Sequence, residues 1–327
     1  MKNEFGEHDV AFRAMGCSIR LLAAGPDPDA VDHSLARVRD LIEAFDRELS
    51  RFRSDSELSR VNAFGAETVS TTPLMATLAD AAVWAARSSN GLVDPTLVGD
   101  LESVGYSDSR EGATPAPLAD ALQAAPEARP ARPARTARWE SISVDPARST
   151  ITRPAGVRID SGGVGKGLAA DAAASLLDGT SRFCVSAGGD LRIGGPDALD
   201  RPYPVQVEDP FGGDPICTVL VRGGGLATSG IGSRIWQRPD GSFAHHLIDP
   251  STGSPAWTGL IQVTALAPTA LEAETLSKRV LLGGPAAIKL LELHGGVVVH
   301  DDCRVEMIGP LAWSVRRPSA AGLAEAA

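Results

Sequence analysis

Cysteine, positive charge and long apolar runs are all in short supply in this chain of 327 residues, and each shortage closes off a class of function. The four cysteines (Cys17, Cys184, Cys217 and Cys303) lie far apart and form no Cys-x-x-Cys pair. That spacing supports neither a disulfide framework nor a zinc site, so free thiols are expected. Basic residues number 31 against 41 acidic ones, and the resulting net charge of −10 argues against nucleic acid as the main partner. No apolar run approaches the roughly 18 residues that a membrane span requires. The stretch Met1–Asp9 has no apolar core of the kind a signal peptide carries. No membrane span and a cytoplasmic location are therefore expected. No internal repeat is found. What remains is ordinary for a globular protein, with 43% hydrophobic and 22% charged residues and length enough for one or two domains.

The most informative stretch runs Asp160-Ser-Gly-Gly-Val-Gly-Lys-Gly-Leu-Ala-Ala-Asp171. It follows the alternating Val157-Arg158-Ile159 and precedes an Ala/Leu-rich run to Leu177, which predicts strand, glycine turn, helix. A helix N-terminus offers unpaired N–H groups, glycine lets an anion come close, and Lys166 adds a mobile charge. The pattern is not a P-loop, because Asp160 stands where that motif needs Gly, and Gly167 where it needs Ser or Thr.

Upstream, residues 9–24 alternate as two strands broken at Met15-Gly16. Val31, Leu35, Val38, Ile42, Phe45 and Leu49 then recur at helical spacing, with Pro28 in the first turn. The polar run Ser50–Asn62 caps a short helix of its own, and a second helix spans about Pro73–Arg87. Residues 108–138 are rich in Pro, Ala and Arg, and their later part reads as an exposed, mobile connection that carries no site. Short strands follow, with two late helices, about 270–282 and 285–293, on either side of Gly283-Gly284. This mixture indicates an α+β fold and not a regular β-α alternation. Three more glycine turns, at Gly188-Gly189-Asp190, Gly223–Gly230 and Asp249–Gly253, would each alone be structural. His245 and His246 lie on a strand and point to opposite faces, so at most one can face a given pocket.

In combination these segments resemble the ApbE family, the FAD:protein FMN transferases. The resemblance rests on Met15-Gly16, Ser50-x-Phe52-x-x-x-Ser56-Glu57-Leu58-Ser59-Arg60-x-Asn62, Asp94-Pro95-Thr96 and the Asp160–Asp171 turn. It continues through Gly188-Gly189-Asp190, Thr228-Ser229-Gly230 and His246-x-x-Asp249-Pro250-x-x-Gly253, in the expected order. It implies a single α+β body at about residues 9–310, with mixed and antiparallel sheets and packed helices of the ApbE (T-fold-like) kind. A mobile insertion near 108–138 and a tail at 311–327 complete the expectation.

The activity implied is cleavage of FAD and attachment of FMN, through a phosphoester, to a Thr or Ser hydroxyl of an acceptor flavoprotein, with release of AMP. By the same resemblance, His246 takes the hydroxyl proton, Lys166 neutralises phosphate charge and Asp249 holds the His246 turn. Met15, Ser56, Glu57 and Asp94 would line the FAD pocket together with Gly162, Gly163, Gly188, Gly189 and Asp190. Thr228, Ser229 and Arg234 would complete it. The family's Mg²⁺ site implies the Gly165 carbonyl and an Asp/Thr pair on a late helix, but here Glu274 and Lys278 stand in the Asp and Thr positions. A glutamate can still bind a hard cation, whereas a charged lysine cannot. Cys17 and Val93 are further departures, from a Thr and an aromatic residue. Two other outcomes fit the same residues: an FAD-binding protein whose Glu274–Lys278 pair fills the metal site, or an FAD pyrophosphatase using water as acceptor.

Overall fold

The computed structural model describes residues 6–313 and 315–316. The elements that position the site begin with strands β1 (His8–Ala14) and β2 (Cys17–Ala24), followed by helices α1 (Pro28–Leu49), α2 (Glu57–Ala63) and α3 (Pro73–Ser88). Helix α4 (Gly165–Ser175) leads into β3 (Arg182–Ala187), β4 (Asp190–Gly194), β5 (Gly224–Gly230) and β6 (Leu260–Ala267). Helix α5 (Ala270–Gly283) and strands β7 (Gly296–His300) and β8 (Val305–Ile308) close the series. The eight strands form one sheet in the order β1 to β8, and every neighbouring pair is antiparallel. The fold is therefore α+β, as the sequence indicated.

Alternation along β3 shows how the sheet is used on both faces. Phe183, Val185 and Ala187 pack with the apolar stripe of α1 and with Ala170, Ala173 and Ala174 of α4. Cys184 faces the other way, into a core shared with Tyr203–Val207 and Cys217–Val221. All six apolar residues predicted for the α1 stripe are buried, and Asp27 caps the helix by accepting from the N–H groups of Asp29 and Ala30.

Four expectations need correction. Residues 157–159 form no strand and enter the glycine turn as irregular backbone. The Pro- and Arg-rich segment is not a free connection. Its backbone is tied down by bonds from Ala116 N to the Ile235 carbonyl, Arg129 N to Trp257 and Ala131 N to Leu282. Within it, Leu118, Ala121 and Ala131 are buried. Of the expected tail at 311–327, Val315–Arg316 pair with the strand at Cys217–Val221, and the remainder from Arg317 lies outside the described residues. The second late helix is a tight 3₁₀ segment, Pro285–Leu291.

Candidate active site

A cavity of about 670 Å³ opens where the β1–β2 turn, the end of α1, the start of α4 and the wall of α5 converge. Its volume falls within the usual range for small-molecule sites, about 300–1,000 Å³. The β1–β2 turn enters it with Met15 at φ 53° and Gly16 at φ 65°. Two positive φ values suit a tight hairpin, but Met15 is not a residue that prefers them. The Asp46 carboxylate fixes this conformation by accepting from Met15 N at 2.6 Å.

The glycine turn is braced from behind. Asn62 donates to the Ile159 carbonyl at 2.8 Å and accepts from Ile159 N at 2.7 Å. Ser161 Oγ donates to the Leu49 carbonyl, and Asp160 pairs with the buried Arg51 at 3.0 Å. The polar motif at 50–62 is thus spent on holding the turn. With the turn fixed, Gly162, Gly163, Gly165 and Lys166 reach the cavity wall. Gly167 sits where α4 meets α5, and a Cβ there would lie 2.6 Å from the Ala270 carbonyl oxygen. A P-loop Ser or Thr could not occupy that position.

The two helices cap one another. Asp171 of α4 accepts from Ala270 N and Leu271 N, both at 2.9 Å, at the start of α5. Glu274 of α5 accepts from Gly167 N at 2.8 Å, at the start of α4. Each acid meets the positive end of the other helix. Glu274 also receives the Lys278 ammonium at 2.8 Å, and Lys166 pairs with Asp190, which in turn accepts from Thr228 N. Burial alone would pull the Lys166 ammonium down, but Asp190 and Glu274 outweigh it and hold its pKa above the ordinary lysine value.

His246 and Arg234 line the same cavity as Lys278. Burial pushes the His246 imidazole well below its usual pKa, and Arg234, His245 and Lys278 push it further, so the ring is neutral at pH 7. Its Nδ1 is buried without a hydrogen-bond partner among the described residues. His245 does not reach the cavity; it packs edge-to-face on Trp257 at 4.8 Å, and burial lowers its pKa to about 3.

Of the residues singled out from the sequence, Met15, Asp94, Gly188 and Arg234 line the cavity together with Lys278 and the glycine-turn residues. Others stand behind it. Ser56 Oγ caps α2, and Glu57 accepts from Thr72 N at 2.6 Å. Thr228 bonds Thr264 and Ser229 bonds Ser277. Gly189, Asp190 and Glu274 also lie outside the wall. Among the described residues Asp249 makes no hydrogen bond to His246; its carboxylate accepts from Arg132 N at 3.0 Å and Ser251 N at 2.9 Å, which closes the following turn.

Sequence reasoning missed Arg51, Tyr106 and Arg110, which also line the cavity. Arg51 lies over the Phe52 and Tyr106 rings, and Arg110 lies over Trp236 at 4.0 Å. Arg51 sits inside the motif at 50–62, so its position carried a signal. Tyr106 and Arg110 had none.

The sequence profile of the ApbE family matches residues 15–299. The chain belongs to the ApbE family. It is 30% identical over 297 residues to the FAD:protein FMN transferase of Klebsiella pneumoniae, covering 88% of this chain and 82% of that one. With the FAD:protein FMN transferase of Treponema pallidum it shares 29% identity over 321 residues, covering 92% and 86%. Among solved structures, the ApbE protein of Thermotoga maritima aligns with a TM-score of 0.76 at 25% identity, covering 95% of this chain and all of that one. The flavin transferase ApbE of Vibrio cholerae has the same fold, with a TM-score of 0.71 at 20% identity over 94% and 99% of the two chains.

The ApbE relationship makes the metal expectation testable against these side chains, and they do not fit it. Both carboxylate oxygens of Glu274 are engaged, Oε1 by the Lys278 ammonium and Oε2 by Gly167 N, and the side chain is 1% exposed. Lys278, standing where the second oxygen ligand is expected, offers a charged ammonium in its place. The trio Gly165, Glu274 and Lys278 therefore amounts to one satisfied ion pair beside a helix start.

Proposed function

We propose that this chain cleaves FAD and transfers its FMN half to a Thr or Ser hydroxyl of an acceptor flavoprotein, releasing AMP. The observation that carries the reading is a neutral imidazole, its Nδ1 without a hydrogen-bond partner among the described residues, in the same cavity wall as the amide end of α4. A phosphoanhydride needs an anion-binding end, and an acceptor hydroxyl needs a base; this cavity supplies both. The curated relatives bearing that activity, at about 30% identity over most of the chain, support it further.

In this reading the α4 N-terminus, Lys166 and Arg234 bind the pyrophosphate and spread its charge. The hydroxyl oxygen of the acceptor attacks the FMN phosphorus while its proton passes to His246. The anhydride P–O bond breaks, and its electron pair leaves on AMP. Four free thiols, with Cys303 exposed, suit a reducing compartment such as the cytoplasm. Among the described residues no helix is long and apolar enough to cross a membrane.

Incubation with FAD and a candidate acceptor, followed by intact-mass analysis, tests the proposal. A covalent FMN increment with stoichiometric AMP supports it. AMP and free FMN without any acceptor adduct would instead make the protein an FAD pyrophosphatase.

A further inference from the structure

We propose that the Lys278 ammonium takes the place of a divalent cation in this cavity, so that FAD binds and its pyrophosphate opens without metal. The inference rests on the FMN-transfer reading. It starts from the way the chain uses lysine. Only four of its 31 basic residues are lysines, namely Lys2, Lys166, Lys278 and Lys289. Two of these four, Lys166 and Lys278, lie in the cavity wall. A chain that otherwise relies on arginine has lysine at the two places where a compact point charge faces the cavity.

The surroundings of Lys278 favour a permanent ammonium over an exchangeable ion. A metal at Glu274 would have to share a carboxylate that already holds the ammonium on Oε1 and the Gly167 N–H on Oε2, with a like charge beside it. Lysine cannot join such a metal's shell while protonated. An ammonium carries three donors, and among the described residues Lys278 has one hydrogen-bond acceptor, Glu274 Oε1. The remaining donors, at the wall of the cavity, are available to phosphate oxygens. Lys166 is held by Asp190 in the same manner, so two anchored ammonium groups share the cavity wall with the start of α4. As the P–O bond to AMP breaks, negative charge grows on the leaving oxygen. The fixed ammonium groups offset it without taking up or losing a proton.

Binding of FAD, followed by flavin fluorescence, and binding of Mn²⁺ to the FAD complex, followed by electron paramagnetic resonance, test this directly. The wild-type Kd for FAD is expected to change by less than about twofold between excess EDTA and excess Mg²⁺. Its FAD complex should take up no more Mn²⁺ than FAD alone. The paired change Glu274→Asp with Lys278→Thr should create metal dependence, with FAD bound at least about tenfold more weakly in EDTA than in Mg²⁺. A neutral pair, Glu274→Gln with Lys278→Met, removes both charges together and guards against misfolding. It should weaken FAD binding in a way that Mg²⁺ does not restore. Stoichiometric Mn²⁺ in the wild-type complex, or a tenfold loss of FAD affinity in EDTA, would overturn the inference and leave the FMN-transfer reading standing. No FAD binding under either condition would overturn both.

Discussion

At His246 the protein keeps an imidazole neutral by burying it near Arg234 and Lys278, with no hydrogen-bond partner for its Nδ1 among the described residues. A base acts in the transition state and contributes little to ground-state affinity. His246→Ala should therefore lower the rate of FMN transfer by roughly a hundred- to ten-thousand-fold while FAD affinity stays within about threefold. Single-turnover transfer, measured beside flavin fluorescence, checks both halves. His245 serves folding instead, and its titration has a definite sign. Burial drops its pKa from 6.5 to about 3, so an unfolded chain takes up a proton that the folded one refuses between those values. The stability it contributes is intact above about pH 6.5 and is lost as the pH falls through that window. His245→Phe, which keeps a ring against Trp257, should flatten the drop in urea midpoint between about pH 7 and about pH 4.5. An unchanged slope would assign the acid sensitivity to other groups.

The decisive elements are α4 and α5, which begin beside each other and exchange caps through Asp171 and Glu274. Gly167 allows this approach. Gly167→Ala would place a Cβ within 2.6 Å of the Ala270 carbonyl oxygen, and the strain should cost about 1–3 kcal/mol. A fall in urea midpoint at constant m would show it, and weaker FAD binding should accompany it because the anion-binding end of α4 shifts. Much at this scale was legible beforehand. The α1 stripe follows from spacing alone, and the glycine turn before α4 follows from its residues. The reciprocal capping was not legible, because Asp171 and Glu274 reveal their roles only when two segments about a hundred residues apart are brought together.

At the scale of the whole molecule, the antiparallel sheet follows chain order, yet the cavity draws on segments from Met15 to Leu282. Its floor was readable because family motifs lie on it. Its rim was not. Arg110 and its neighbours belong to a Pro- and Arg-rich stretch whose later anchors are backbone hydrogen bonds, which side-chain patterning cannot announce. The motif residues that prove to stand behind the wall, such as Glu57 and Ser229, show the converse: a recognisable pattern can mark a brace as readily as a contact.

The scarcity of lysine gives the molecule a built-in chemical reporter. An amine-acylating reagent should modify Lys289, which is exposed, at the same rate with or without ligand. Lys166 and Lys278 lie in the cavity wall and are held by carboxylates, so they should react slowly. Saturating FAD should slow them further. Peptide mapping over a time course would resolve the three positions. Equal labelling of Lys278 and Lys289 in the free protein would mean that the wall is open to solvent in a way this architecture does not allow.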